Sequence, residues 1–400
     1  MRILIITGVF PPRRYGGVTT ISYLVSKKLK ERGHEVTVFT TDVGNNPHSR
    51  LKVRSTDMLD GVQVHYFKNI NNLLAFKHRI LSPLGMIPAL IRNTRSYDII
   101  HLNGLRNIHD IVGAYFAKKY RVPYVQQSHG DIPRVMSKKG LKWLNDALFS
   151  YRLIKNAARV IALNEWEAGH YKAIGVPKEK IAIIPNGIDL STFLNLPPRG
   201  FFKKRFHVPE NRKIILYLGR IDEIKGVDLL VRAYANLVRN MRYENTILVI
   251  AGPDEVFLNK IKSLAISLDI LNSILFTGPL YGEDKLRAYV DSDIYVLPSK
   301  YETFPMSLLE AYACAKPVIC SKVGGLKDLV INGVTGFLVE PTNTKELAEK
   351  MLYLLDNNDK AKEMGVKARR LVEEKFSIDK VVSRLEILYE EVLKEWRRSE

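Results

Sequence analysis

Two carboxylates eight positions apart, Glu302 and Glu310, stand in the otherwise apolar run Tyr301-Glu302-Thr303-Phe304-Pro305-Met306-Ser307-Leu308-Leu309-Glu310. A carboxylate on a buried face needs a partner, and sugar hydroxyls or a ribose diol fit two carboxylates so placed. Upstream, Leu218-Gly219-Arg220 closes an apolar run and Lys225-Gly226 opens the next amphipathic one. Two cations at one strand end suit a diphosphate leaving group, whose charge grows as the bond to it breaks. The plainer reading pairs both cations with Asp222 and Glu223. Ser128-His129-Gly130-Asp131 follows another apolar run, where an imidazole could bond a sugar hydroxyl or a diphosphate oxygen; a lone histidine is more often structural. Gly16 and Gly17 precede a helical pattern, and bare backbone there lets a phosphate approach a helix N-terminus. Asp291-Ser292-Asp293 has the DxD pattern of metal-dependent sugar transferases, but it precedes an apolar strand and reads as a helix–strand turn. The chain has no HExxH, no zinc-spaced Cys/His set, no GxSxG and no nucleic-acid-binding signature.

These residues need elements to hold them. Short apolar, β-branched runs alternate with amphipathic stretches. Strands are expected at Ile3–Thr7, Val36–Thr40, Val62–Phe67, Ile99–Leu102, Tyr124–Ser128, Val160–Leu163 and Ile181–Ile184. Helices are expected at Val18–Arg32, Ile108–Lys119, Leu141–Asn156 and Glu165–Ala173. The pattern restarts after Asn195-Leu196-Pro197-Pro198-Arg199-Gly200, a stretch with the composition of a linker. Strands follow at Lys213–Leu218, Ile247–Ala251, Ile274–Thr277, Ile294–Leu297, Val318–Cys320 and Phe337–Val339. Helices follow at Val227–Arg239, Phe257–Leu268, Lys285–Val290, Met306–Ala315 and Thr344–Leu355, and two more end the chain. Apolar strands separated by helices imply parallel sheets covered on both faces. Ligands of such sheets bind at the carboxyl ends of the strands, which is where the chemistry-bearing motifs fall. With two such sheets, a cleft between domains is the expected site.

A chain of 400 residues exceeds what one core normally serves, which agrees with two domains. Its longest apolar runs, Ile3 to Ile6 and Leu84 to Ile91, fall far short of a membrane span, and no signal peptide is read at the N-terminus. Cys314 and Cys320 lack metal-ligand spacing and read as small buried residues in a reducing compartment. The formal net charge is +19, and residues 1–200 hold 30 Lys and Arg against 13 Asp and Glu. Residues 201–400 hold 31 against 29. The first half therefore faces either an anionic partner (a membrane, a phospholipid-linked acceptor, a nucleic acid) or only solvent. Lys138-Lys139-Gly140-Leu141-Lys142-Trp143-Leu144, continuing to Ile154 and Lys155, mixes basic residues with Trp and Leu, as a membrane-resting helix or a helix packed on the sheet would.

Taken together, the chain resembles the family 4 retaining glycosyltransferases (glycosyltransferase group 1) over nearly its whole length. The landmarks are Pro11-Pro12 to Gly17, Tyr97-Asp98-Ile99-Ile100-His101, His129-Gly130, Ile184-Pro185-Asn186-Gly187-Ile188-Asp189, Gly219-Arg220 to Lys225-Gly226, and the Glu302/Glu310 pair. The resemblance implies an α/β chain of the GT-B fold, with two Rossmann-like domains facing across a cleft. They would be an acceptor-binding domain over 1–195 and a nucleotide-sugar-binding domain over 201–378, with a final helix over 379–400 crossing back to the first. It implies that Gly16 and Gly17 approach the donor diphosphate, His129 contacts the transferred sugar, and Arg220 and Lys225 neutralise the diphosphate. Glu302 would hold sugar hydroxyls and Glu310 the ribose, with Gly219, Phe304, Pro305 and Met306 also on the donor. No metal or other cofactor is expected, because side-chain cations supply the charge.

The implied reaction transfers a hexosyl group, with retention, from a UDP- or GDP-sugar to a sugar or lipid-linked acceptor. The implied setting is the cytoplasm, with peripheral attachment to the membrane as the charged first half suggests. Where relatives often carry Gly after the first glutamate, this chain has Thr303 and Pro305; proline lacks an N–H, so the donor sugar stays open. Three rivals remain. A GT-B nucleotide-sugar epimerase would isomerise a sugar without an acceptor. A nucleotide-sugar sensor would bind without turnover. A basic nucleic-acid-binding protein would explain only the charge.

Overall fold

The computed structural model describes residues 1–13, 16–46, 48–78, 81–133, 143, 145–254 and 256–399. The chain forms two compact units, one made of Met1–Gly187 with Ile378–Glu400 and the other of Ile188–Ser377.

The first unit is built on an eight-stranded sheet in the order β3-β4-β2-β1-β5-β6-β7-β8. The strands are β1 Arg2–Thr7, β2 Glu35–Thr41, β3 Thr56–Leu59, β4 Val62–Phe67, β5 Ile99–Asn103, β6 Tyr124–Gln127, β7 Arg159–Ala162 and β8 Ile181–Ile183. All pairings are parallel except β3 with β4. The edge strand β3 was absent from the sequence expectation. Its Thr-Asp-Met-Leu run is short and mostly exposed, so it carries no apolar signal. The apolar runs of β1, β5 and β7 are buried because helices cover both faces of the sheet.

The C-terminal helix Ile378–Ser399 supplies part of that cover. Its Ile378, Val381, Val382, Leu385, Leu388, Tyr389 and Val392 join the core cluster of Ile3, Ile5, Val36 and Val38. The spacing of three and four places them on one stripe. Polar contacts frame the stripe: Arg32 donates to Glu386 Oε2 at 2.6 Å and to Ser383 Oγ at 2.8 Å, and Arg159 donates to Glu395 Oε1 at 2.5 Å. The final helix thus crosses back to the first sheet. Leu141, Lys142 and Leu144 lie outside the described residues, but Tyr151–Asn156 is helical and Ile154 is buried in the core.

The second unit has a six-stranded parallel sheet in the order β11-β10-β9-β12-β13-β14. Its strands are β9 Lys213–Leu218, β10 Thr246–Ala251, β11 Ile274–Gly278, β12 Ile294–Leu297, β13 Val318–Ser321 and β14 Gly336–Val339. The stretch 195–200 lies inside this unit. Each sheet has one point where strand order turns back on itself, between β1 and β5 in the first unit and between β9 and β12 in the second. In open α/β sheets, ligands bind at the carboxyl edge beside such a point.

Candidate functional site

In the second unit the carboxyl ends of β9 and β12 gather charged side chains. Gly219 and Arg220 leave β9, and Arg220 Nη1 lies 3.0 Å from Asp222 Oδ2. The Asp222 side chain also accepts the Lys225 N–H at 3.0 Å, which closes a short turn before the Val227–Ala235 helix. Gly226 ends that turn with φ of +66°, and a Cβ there would lie 2.1 Å from the Pro298 carbonyl oxygen. Only glycine lets the Lys225 loop press so closely on the exit of β12. From there Lys225 Nζ bonds Glu302 Oε1, an oxygen that also accepts the Ser299 hydroxyl at 3.0 Å. Glu302 is 7% exposed. Its carbonyl accepts the Gly325 N–H at 3.0 Å, and a Cβ on Gly324 would sit 2.0 Å from the same oxygen.

Glu310 sits on the Met306–Ala313 helix and occupies a second polar cluster. Lys285 Nζ donates to its Oε1 at 2.6 Å and the Tyr289 hydroxyl to its Oε2 at 3.0 Å. Burial, then the Glu310 carboxylate, holds the Tyr289 phenol well above its usual pKa, so it stays a donor. The Tyr295 hydroxyl donates to Ser307 Oγ at 2.7 Å and ties β12 to the start of the same helix. Pro305 stands at the helix N-cap with φ of −76° and ψ of 122°, an angle the ring already imposes. Phe304 is buried edge-on against Phe376, ring centroids 5.7 Å apart, so its ring serves packing. Met306 is half-buried.

The plainer reading of the two cations is met in half: Arg220 takes Asp222, but Lys225 takes Glu302, from a different strand exit. Ser299, Lys285, Tyr289 and Tyr295 were not singled out from sequence. They lie within predicted strands or helices or just beyond them, and their side chains converge only through the fold.

The DxD carboxylates are held by backbone N–H groups, and Asp293 Oδ1 also takes Arg199 Nη2 at 3.1 Å. Asp291 accepts N–H bonds from Gly200, Phe202 and Lys203 at 2.6, 2.8 and 3.0 Å, capping the short Phe201–Arg205 helix. Asp293 accepts the Ile214 N–H at 2.7 Å, at the amino edge of the sheet.

In the first unit, Gly16 is the N-cap of the Gly17–Glu31 helix, with φ of 118°. Arg14 and Tyr15 of that loop lie outside the described residues. His129 leaves β6 with φ of 50°, a sparsely populated conformation for a residue with a side chain. Several contacts hold it. His129 Nε2 lies 2.8 Å from Asn103 Oδ1 at the end of β5. The Gly130 N–H donates to Glu167 Oε1 at 2.5 Å, while Glu167 Oε2 accepts the Leu163 N–H at 2.8 Å. The Tyr171 hydroxyl donates to Ser128 Oγ at 2.8 Å.

Burial, with His101 nearby, pushes the His129 pKa down to about 3, so the imidazole is neutral. With Asn103 as acceptor the ring proton sits on Nε2, which leaves Nδ1 a lone pair. Burial raises the Glu167 carboxyl to about 7. His101, lowered by burial to about 4, lies behind this group, with Nδ1 2.6 Å from the Tyr389 hydroxyl and Nε2 3.2 Å from Gln127 Oε1. Asn103 and Glu167 were also missed from sequence; a polar residue ending an apolar strand was the signal for Asn103.

Chemically, the second unit offers two cations and two carboxylates at a switch point, which suits a diphosphate and vicinal hydroxyls. The first offers a neutral histidine and a glycine-opened helix.

Comparison with known proteins bears on the family and the fold. Residues 15–192 match the family described as Glycosyltransferase Family 4, and residues 199–371 match Glycosyl transferases group 1. An uncharacterized glycosyltransferase of Methanocaldococcus jannaschii is 27% identical, covering 95% of this chain and 96% of its own. The N-acetyl-alpha-D-glucosaminyl L-malate synthase of Bacillus anthracis is 28% identical, covering 95% of each chain. In fold, the crystal structure of Anabaena HepE in complex with UDP and glucose superposes with a TM-score of 0.80 at 20% identity, over 98% of this chain and all of that one. With both sheets, both switch points and both family matches in place, the chain belongs to the family 4, group 1 glycosyltransferases of the GT-B fold and is a glycosyltransferase.

Proposed function

We propose that the enzyme transfers a hexosyl group from a UDP- or GDP-sugar to an anionic acceptor, sugar or lipid-linked, with retention and without a metal ion. The observation that carries this reading is the coupling at the carboxyl ends of β9 and β12, where Arg220 and Lys225 are held by Asp222 and Glu302. A diphosphate arriving there takes over the two cations, and Glu302, released from Lys225, turns to the sugar hydroxyls. Glu310 receives the ribose diol. In the first unit we assign Gly16 and Gly17 to the diphosphate and His129 to the transferred sugar, where the neutral ring accepts a hydrogen bond at Nδ1.

The acceptor hydroxyl attacks the anomeric carbon as the bond from that carbon to the diphosphate oxygen breaks. The acceptor proton passes to the departing phosphate, and the nucleoside diphosphate leaves. Attack on the face the leaving group vacates gives retention without a covalent sugar intermediate. The cations offset the growing negative charge, which is the usual task of a divalent metal. The charge surplus of residues 1–200 supports an anionic acceptor. So does the Bacillus anthracis relative, whose product contains L-malate. UDP leads among the nucleotides because the Anabaena neighbour binds it. No helix among the described residues is long and apolar enough to cross a membrane.

The test is a thermal-shift screen of UDP-, GDP- and ADP-sugars with wild type and Glu310→Ala. A donor at about 100 times its dissociation constant stabilises by about 2.7 kcal/mol. One nucleotide should stabilise the wild type and lose its effect in the variant. Turnover in EDTA and NMR of the product anomer complete the test; an inverted product or a metal requirement overturns the mechanism.

A further inference from the structure

The first unit exposes an apolar face that the nucleotide chemistry does not use. Ile70, Leu73, Leu74, Leu84 and Ile91 are 58%, 53%, 42%, 49% and 49% exposed. They lie on and beside the helices Asn72–His78 and Met86–Asn93. The Ile70 and Leu84 N–H groups both donate to the Ser82 carbonyl, at 3.3 and 3.2 Å, which brings the two ends of the segment together. On the second helix Met86 and Leu90 are fully buried. At 100° per residue, Pro88 and Ile91 therefore point the opposite way, with exposed Arg92 beside them; Leu84, just before the helix, and Arg95, just after it, are exposed as well. Several large apolar side chains turned to solvent on one segment mark an interaction site.

The charge around this face selects the partner. Residues 61–97 contain Lys68, Lys77, Arg79, Arg92 and Arg95 and not one Asp or Glu. Lys68, Arg92 and Arg95 are exposed on the described surface. Apolar side chains beside exposed cations, with no acid in their own segment, match a bilayer surface with anionic headgroups: Leu and Ile enter the acyl boundary while Lys and Arg meet phosphates. The stretch Lys138–Leu144 is a weaker candidate. Only Trp143 of it is described, and Ile154, in the same predicted helix, faces the core.

We propose that the 68–95 face of the first unit docks the enzyme on an anionic lipid bilayer. The inference does not depend on which donor or acceptor the enzyme uses. The test is co-sedimentation of the full chain with sucrose-loaded vesicles, without donor, comparing phosphatidylcholine alone with its mixture with phosphatidylglycerol. Wild type should pellet with the anionic vesicles and not with the neutral ones, less so as salt rises. Leu73→Ser/Leu74→Ser should weaken binding by roughly tenfold or more, and Lys68→Gln and Arg92→Gln by about fivefold each. All these positions are exposed, so the variants should melt with the wild type; a melting shift would disqualify that variant, and Ile91→Ser would then replace it. Equal pelleting on neutral and anionic vesicles overturns the proposal. So does a Leu73→Ser/Leu74→Ser variant that binds as wild type while the cation variants do not, because that outcome is adsorption of a basic protein without a docking face.

Discussion

Replacing Glu302 by Gln tests the coupling at the heart of the second unit. The change keeps the side chain's size and one acceptor oxygen but removes the charge that Lys225 faces. Both side chains are largely sequestered, with 16% of Lys225 and 8% of Glu302 exposed. Removing one partner of a fully buried pair costs about 3–5 kcal/mol. Partial exposure of Lys225 and the remaining amide oxygen reduce this to about 2–3 kcal/mol. At about 2–4 °C per kcal/mol for a unit of this size, the second unit should melt roughly 4–12 °C lower. A nucleoside diphosphate supplies the missing anion, so it should stabilise Glu302→Gln more than it stabilises wild type. The nucleotide sugar should lose its advantage over the bare diphosphate, because the carboxylate that holds the sugar is gone, and transfer should fall steeply. The assay is a pair of melting curves with and without each ligand, plus isothermal titration of diphosphate and donor. A variant that melts within a degree of wild type would refute the energetic argument. A variant that keeps the donor's advantage over diphosphate would refute the role assigned to Glu302.

Other perturbations read other parts of the design. Gly226→Ala forces a Cβ to 2.1 Å from the Pro298 oxygen at a φ of +66°; the loop must shift, with a stability loss of at least about 2 kcal/mol and weaker diphosphate binding. Wild-type affinity and melting in that variant would show that the loop yields freely. Asn103→Ala removes the acceptor that fixes the His129 tautomer, so kcat should fall between roughly ten- and a hundredfold while the donor dissociation constant holds. Glu167 is held near pKa 7 in the fold against 4.5 for the free side chain, so the folded state keeps its proton longer. Its contribution is therefore greatest below pH 4.5 and is lost as pH rises to about 7. Melting temperatures across that range should shift in favour of Glu167→Gln as pH rises, and a constant difference would refute the assignment.

The alternation of apolar runs with amphipathic stretches was enough to read two α/β halves, because a strand covered on both faces has to be apolar along its length. Edge strand β3 escaped because its outward face is solvated and it contributes no such run. The Asn72–His78 and Met86–Asn93 helices escaped because their apolar residues point both inward and outward, which blurs the helical period. Glu302, Glu310, Arg220 and Lys225 were legible because charge inside an apolar context stands out. Their partners were not. Lys285 and Tyr289 look like ordinary helix residues until the helix packs beside Glu310, and Asn103 looks like the end of a strand until β6 places His129 beside it. Sequence separation hides such pairs, because the groups are brought together by sheet order and not by spacing along the chain.

The DxD pattern runs the other way. Its spacing is that of a metal site, yet tertiary placement at the amino edge of the sheet gives its carboxylates to backbone N–H groups. The final helix carries a legible apolar stripe, but which sheet that stripe covers was settled by contacts more than 340 positions away in the chain, such as Arg32 with Glu386. By itself the sequence determined the classes of element and the residues able to handle a sugar diphosphate, since burial pattern and charge are local properties. The tertiary structure decided which cation faces which carboxylate and which apolar face stays exposed, since both depend on neighbours that only folding supplies.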